Sequence, residues 1–361
     1  MREMSSCDFE KKLSNAKNKL QTQKNYIFGA GRLGEKIFEL FQSKGIIVDG
    51  FIDNAKKGQT LKGQKVFSLN EVKKTNTNII IASINYLFDI EKQLSNNMFD
   101  SLIPFDVLGY VYPELQSFNQ AFWGIREDFI KHREKYEKVR ELLDDDISRT
   151  VLDALVAYRK ELDIKVYQKP FALSNKQYFE EFLPKNKVFV DGGSFDGQNV
   201  IDYREFVPNY KHIYAFEPDK DSMLVVKNKL KDYSNVTYLP YGISQKEEVL
   251  RFNPCADSGS CFDSTGSIEC KCVALDDIVK EDSAYIKLDI EGAELDAIKG
   301  ATRLIRNGSL LAVSVYHKPQ DIWQIILYIN EINPNYVYKL RHYTSSVFET
   351  VLYAIPRSKN G

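Results

Sequence analysis

Lys187 to Gly197 reads K-V-F-V-D-G-G-S-F-D-G, and the architecture of the chain follows from how that stretch must fold. Three apolar residues, Val188, Phe189 and Val190, run into Asp191, Gly192 and Gly193, then Gly197, with a helical pattern beginning near Asn199. The stretch therefore reads as a strand, a tight turn and a helix start. Gly192 and Gly193 permit positive φ and close approach of a ligand, and Asp191 falls at the strand's carboxyl end, where open α/β sheets bind their ligands. Glu217 ends the next apolar run, His212 to Phe216, and an acid at the tip of a second strand can accept both hydroxyls of a ribose.

Downstream, the alternation continues. After Val188–Gly192 and His212–Phe216, apolar runs at Val236–Leu239, Tyr285–Ile290, Leu310–Tyr316, Tyr336–Leu340 and Phe348–Ile355 predict seven strands with helices in most gaps. A βα alternation ending in a hairpin is the pattern of a doubly wound sheet with one reversed strand. The interruption Val249–Val273, with its polar centre at Ala256–Ser267, reads as a loop between two hairpin strands. The turn lacks the tighter spacing of a dinucleotide loop, and an Asp ahead of the glycines would repel a phosphate. It suits a cationic ligand such as S-adenosylmethionine; a plain tight turn is the bland alternative.

Upstream lies a second α/β pattern. Gly29, Gly31 and Gly34 have G-x-G-x-x-G spacing after a strand and before a helix, and Asp53 stands at the end of the following strand. The stretch resembles the N-terminal, nucleotide-sugar-holding domain of PglD-type sugar acyltransferases, and NAD-binding domains more generally. Nucleotide-sugar binding, a structural or oligomerisation role, and NAD binding all stay open; a bound diphosphate would sit on the backbone N–H groups of Gly31 to Gly34. Residues 1 to about 22 predict a short helix through Phe9, Leu13, Ala16 and Leu20. Between about 113 and 180 apolar residues recur at three and four, from Phe118 and Phe122 through Leu162, which predicts a helical connector that joins the domains or forms a dimer face. Asp144-Asp145-Asp146 reads as a solvated turn with a helix cap rather than a metal site. The expected organisation is α/β, with two Rossmann-like domains at 1–112 and 181–361 and the connector at 113–180.

Forty-nine basic residues against fifty acidic ones leave a net charge of −1, which removes the electrostatic case for nucleic acid or an anionic membrane. No apolar run approaches the roughly 18 residues of a spanning helix, and the N-terminus lacks a signal-peptide core, so a cytoplasmic protein with a small or glycan partner is expected. Cys7, Cys255, Cys261, Cys270 and Cys272 show no metal-ligand spacing and read as free thiols.

Four blocks in order carry a family resemblance: V-F-V-D-G-G-S-F-D-G, A-F-E-P at Ala215–Pro218, L-D-D-I at Leu275–Ile278, and Y-I-K-L-D-I-E-G-A-E at Tyr285–Glu294. Over roughly Gln177 to Pro356 the chain resembles the FkbM family of S-adenosylmethionine-dependent O-methyltransferases, whose members often act on sugars. The resemblance implies a seven-stranded methyltransferase sheet. It implies that Asp191, Gly192, Gly193 and Gly197 form the donor turn beside the methionine part, that Glu217 takes the ribose, and that Gly242 and Ile243 lie at the adenine edge. It places Asp289 beside the sulfonium.

A sugar hydroxyl is a poor nucleophile at neutral pH, and a positioned base contributes about 100- to 10,000-fold. His317, at the tip of the fifth strand, is the first candidate and His342 the second; the other histidines, His132 and His212, read as surface or sheet residues. Glu291, Lys318, Arg341 and Tyr343 are the expected substrate contacts, with Arg341 and Lys318 as charge partners for a nucleotide diphosphate, and Glu294 reads as a helix-start charge. A magnesium ion held by Asp289 and His317 is compatible with related folds. The competing readings are an oxidoreductase using NAD in the first domain, for which no Tyr-x-x-x-Lys pair is found, and a non-catalytic nucleotide-sugar-binding protein. Homo-oligomerisation, the sugar and the carbon methylated are left open by the sequence.

Overall fold

A computed structural model of the chain describes residues 6–84, 86–95, 99, 101–118, 123–163, 176–253, 261–262, 268–344 and 346–357. Two compact units emerge: one formed by Met1–Phe129, Asp153–Phe171 and Thr344–Phe348, the other by Ile130–Leu152, Ala172–Tyr343 and Glu349–Gly361.

In the first unit, β1 (Lys24–Phe28), β2 (Gly50–Ile52), β3 (Thr60–Leu61), β4 (Gln64–Phe67), β5 (Thr77–Ile81) and β6 (Ser101–Pro104) make one sheet in the order β3-β4-β2-β1-β5-β6. Only β3 is antiparallel to its neighbour. Every residue of β5 is buried, as expected of a parallel strand covered on both faces. The helix Arg32–Ser43 follows the glycine loop and buries Ile37, Phe38 and Phe41. The expected N-terminal helix spans Ser6–Thr22 with Phe9, Ala16 and Leu20 buried.

The second unit opens with β7 (Val188–Gly192), β8 (His212–Phe216) and β9 (Val236–Leu239), the predicted bounds of all three strands. A small sheet then intervenes, of β10 (Gly242–Ile243), β11 (Glu248–Asn253), β12 (Cys261–Phe262) and β13 (Ile268–Val273); β11 pairs antiparallel with β13. This is the expected hairpin, though most of its polar centre, and Cys255 just before it, lie outside the described residues. Cys270 and Cys272 are buried free thiols on β13; the side chains of Cys7 and Cys261 are outside the described set. The main sheet resumes with β14 (Tyr285–Leu288), β15 (Leu310–Ser314), β16 (Tyr336–His342) and β17 (Thr350–Pro356).

The order is β16-β17-β15-β14-β7-β8-β9, parallel throughout except for β17, the single reversed strand the sequence called for. Four strands differ in their bounds from expectation. β14 stops at Leu288, so Asp289 and Ile290 belong to the following turn; β15 stops at Ser314 rather than Tyr316; β16 continues through His342; and β17 runs from Thr350 to Pro356 rather than from Phe348 to Ile355. Beneath the sheet the aromatic residues converge: Phe189 stacks on Tyr203 with ring centres 4.3 Å apart, and Tyr285 packs against both. That packing fixes the level of β7 and β14, and hence of the turns at their carboxyl ends.

The connector contains helices at Ile125–Lys131, Arg133–Leu142 and Asp146–Glu161 among its described residues; Phe122 lies outside them. Asp145 caps the last of these, accepting from Ser148 N at 2.8 Å and Ser148 Oγ at 2.6 Å. Its carboxylate is more than a solvated cap, since Arg341 and Lys339 of β16 both donate to it. The two cations overcome burial and hold Asp145 well below the ordinary carboxylate range.

Candidate active site

β7 lies between β8 and β14, the position where strand order reverses and where α/β sheets open a crevice. There the chain turns through Gly193 at φ 78°, and a Cβ at that residue would stand 2.1 Å from the Asp289 carbonyl oxygen. Only glycine allows the ends of β7 and β14 to come this close. Gly193 N and Ser194 N donate to Phe216 O, and Gly197, at φ 77°, precedes the helix Gln198–Phe206. Phe195 is 69% exposed with a left-handed φ of 48°, and its N–H donates to Glu217 Oε2 at 2.9 Å. Glu217 Oε1 accepts from Asp219 N, so the carboxylate sits at the tip of β8 against the turn. Burial pushes it above the usual Glu range, with the two N–H groups opposing. Ile243 packs against Gly192.

Asp191 requires a correction. Its carboxylate does not face the crevice: it is fully buried, 3.2 Å from the equally buried Lys287 Nζ. Lys287 also donates to Gly192 O and Gly193 O, at 3.1 and 2.8 Å. The pair supports the glycine turn from below. Burial pushes Asp191 up while Lys287 pulls it down. A lysine inside the apolar run Y-I-K-L was the overlooked signal, because a buried lysine needs a counter-charge.

At the ends of β14 and β15 an acidic cluster forms around one imidazole. His317 Nδ1 lies 2.9 Å from Glu294 Oε1, and Nε2 lies 3.5 Å from Asp289 Oδ1 and 3.4 Å from Glu291 Oε2. The turn that assembles them is strained, with Glu291 at φ 55° and Gly292 at φ 96°. Glu294 is fully buried and its Oε1 accepts from Ile290 N at 2.9 Å, so it closes the turn as well as starting a helix. Tyr178 OH donates to Asp289 Oδ2 at 3.0 Å, and Tyr316 OH lies 3.2 Å from both Asp289 Oδ1 and Glu349 Oε1, which share its single proton. Tyr178, Tyr316 and Glu349 were missed by sequence reasoning.

The electrostatics of the cluster correct the view of His317 as a free base. Burial acts to lower its pKa, but Glu294, Asp289 and Glu291 outweigh burial and push it up to about 10, so it holds its proton at neutral pH as long as no other cation shares those carboxylates. Asp289 is held below the usual range because Lys287 and His317 overcome its burial. Glu291 is raised, chiefly by burial.

The remaining expected residues divide. Lys318 stays at the cluster, its side chain lying over Gly292. Arg341 does not: its guanidinium is buried on Asp145 and Ser148, which leaves no free fork for a diphosphate. His342 is fully buried within β16, with Nδ1 2.8 Å from Thr350 Oγ1, a sheet position rather than one that meets a substrate proton. Tyr343 OH donates to Glu180 and lies 2.6 Å from Tyr353 OH, inside the body of the unit.

In the first unit, Gly29 has φ 115° and Gly34 packs on the Gly29 carbonyl, while Gly31 has open space where a Cβ would be. Asp53 is already engaged: it accepts from Ala30 N at 3.0 Å, Ala55 N at 2.9 Å and Lys56 N at 3.0 Å, and Lys56 Nζ donates to Ala30 O. Those N–H groups overcome burial and hold it below the ordinary Asp range.

Residues 21–101 match the model of the C2185-like, N-terminal family, and residues 191–340 match the methyltransferase FkbM domain. A hexuronic acid methyltransferase, AglP of Haloferax volcanii, is 26% identical over 140 residues, covering 36% of this chain and 59% of that protein. The crystal structure of methyltransferase FkbM from Methylobacillus flagellatus superposes with a TM-score of 0.76 at 19% identity, over 95% of this chain and 92% of that one. The glycine turn and three of the four sequence blocks fall inside the matched C-terminal stretch, and β17 lies beyond it. Residues 191–340 of this chain are an FkbM methyltransferase domain.

Proposed function

We propose that the protein transfers a methyl group from S-adenosylmethionine to a hydroxyl of a sugar, with a uronic acid as the leading acceptor class. The observation that carries the donor is the Gly193 turn pressed on the Asp289 carbonyl, between Glu217 on one side and the Asp289–Glu291–Glu294 cluster on the other. The residues fit such a donor: a carboxylate at the tip of β8 can take ribose hydroxyls, and a concentration of carboxylates favours a cationic sulfonium and ammonium. When bound, the donor supplies an electrophilic methyl group on a positively charged sulfur. The acceptor class is supported by the printed activity of the H. volcanii relative.

The chain's own work is alignment and proton transfer. Asp191 and Lys287 hold the glycine turn rigid, so the donor's position is set before it arrives. Tyr178 and Tyr316 fix both oxygens of Asp289. Glu291, the most exposed carboxylate around His317, accepts the proton of the attacking hydroxyl, and its left-handed backbone is strain held at the point of function. Lys318 offers the positive charge an acidic sugar needs. Within the first unit by itself, the glycine loop at Gly29–Gly34 is proposed as a nucleotide-sugar-binding turn; the engagement of Asp53 with backbone N–H groups weighs against NAD there.

Calorimetry with S-adenosylhomocysteine, paired with transfer of labelled methyl to uronic-acid and neutral glycans, tests the proposal. Micromolar binding and labelling that falls at least tenfold in Glu291→Gln are expected. Binding of NAD and not of S-adenosylhomocysteine would overturn it.

A further inference from the structure

We propose that Asp289, Glu294 and His317 form a binding site for one divalent transition-metal cation, of the Mn²⁺ class. One ligand atom from each lies within 4.8 Å of the others, and the three come from separate places in the fold: the turn after β14, the start of the helix Glu294–Lys299, and the turn after β15. Donor atoms adjacent around a single ion, each bonded at about 2.1 Å, lie about 3 Å apart. Only one ring nitrogen can meet a given ion: the 2.9 Å between His317 Nδ1 and Glu294 Oε1 matches that spacing, while Asp289, which stands 3.5 Å from the other nitrogen, completes the set within 4.8 Å.

A second observation points to a ligand. Glu294 has no exposed surface, and while its Oε1 accepts from Ile290 N, its Oε2 is buried without a hydrogen-bond partner. A buried carboxylate oxygen left unpaired costs free energy that a bound cation would remove. Charge agrees: Asp289, Glu291 and Glu294 face a single imidazole, and Glu291 stands 3.4 Å from it as a further oxygen donor. The acids at Asp144–Asp146 form no such set, since Asp145 is consumed by Arg341, Lys339 and Ser148.

The donor set also selects the ion. Magnesium prefers oxygen ligands and keeps most of its waters, whereas two carboxylates with an imidazole nitrogen suit manganese or zinc. This replaces the magnesium of the sequence reading. A cation here would hold an oxygen of the acceptor near the methyl donor, a use that rests on the methyl-transfer reading; the site itself does not.

The test uses the full chain stripped with chelator and titrated with Mn²⁺ alone, followed by electron paramagnetic resonance and calorimetry. One saturable site per chain is expected, weakened at least about tenfold in Glu294→Gln and in His317→Gln and unchanged in the surface control Glu205→Gln. If Glu294→Gln does not fold, His317→Gln decides. Absence of saturable binding in the wild type, or binding equal to wild type in the folded variants, overturns the site. S-adenosylhomocysteine titrated into metal-free protein separates the two proposals: donor binding without manganese binding removes only the metal, and the reverse removes only the donor.

Discussion

Two glycine turns in this chain are built on one backbone plan and differ in what surrounds them. In the first unit Gly29 N donates to Ile52 O and Ala82 N to Phe28 O; in the second, Gly193 N donates to Phe216 O and Asp289 N to Gly192 O. Gly29 thus corresponds to Gly193, Asp53 to Glu217 and Ala82 to Asp289. One step earlier, Ile27 pairs with Ile80 where Asp191 pairs with Lys287. Strand order makes a crevice in both units. Among the described residues, the charges at the end of the neighbouring strand give only one of them a cluster of carboxylates around an imidazole, so the fold alone does not distinguish the two turns.

Copying the first unit into the second breaks or sharpens that comparison. Lys287→Met leaves Asp191 buried and unpaired and is expected to cost about 3–5 kcal/mol of stability in urea unfolding, whereas Asp191→Val with Lys287→Met restores most of it. A double variant as unstable as the single one would mean that the ion pair is not what holds the turn. Next come the glycines. Gly193→Ala forces a Cβ onto a carbonyl at a left-handed φ, for about 1–3 kcal/mol and loss of donor binding, while Gly31→Ala, with open space, is expected to change neither.

The smallest effect separates the two tip acids by pH. Asp53 has a depressed folded pKa, so its stabilisation is present above the unfolded Asp value near 3.9 and lost as pH falls through the lower folded value. Glu217 has a raised folded pKa; ionising it opposes folding, and acidification from above the unfolded Glu value, near 4.3, relieves that cost. Asp53→Asn should therefore lose about 1 kcal/mol at neutral pH and nothing at low pH, and Glu217→Gln should gain slightly at neutral pH without ligand. Unfolding curves across about pH 2 to 7 check both, and equal slopes for the two variants would remove the distinction.

Legibility followed the range of the interactions. Parallel strands covered on both faces read as unbroken apolar runs, so V-F-V, H-I-Y-A-F and Y-I-K-L-D could be ordered into a sheet, and glycine fixed the turn. His317 was legible as a strand-tip residue, but its proton was not, because three carboxylates must first be brought around it. Arg341 and His342 were misplaced for a local reason: L-R-H-Y looks like the end of a strand, whereas pairing with β17 carries β16 through His342. Tyr178 and Glu349 reach the cluster from opposite ends of the unit's chain, and among 21 tyrosines nothing local distinguishes Tyr178.

The clamp between Asp145 and Arg341 spans 196 residues of chain. At roughly 5–20 residues per second of synthesis, Asp145 is made about 10–40 seconds before the arginine that will neutralise it. During that interval the partner of Asp145 is Ser148. The closing strands of the C-terminal sheet thus act as a late fastener, and a ribosome stalled before Arg341 would display this helix start with Arg149 as its local counter-charge.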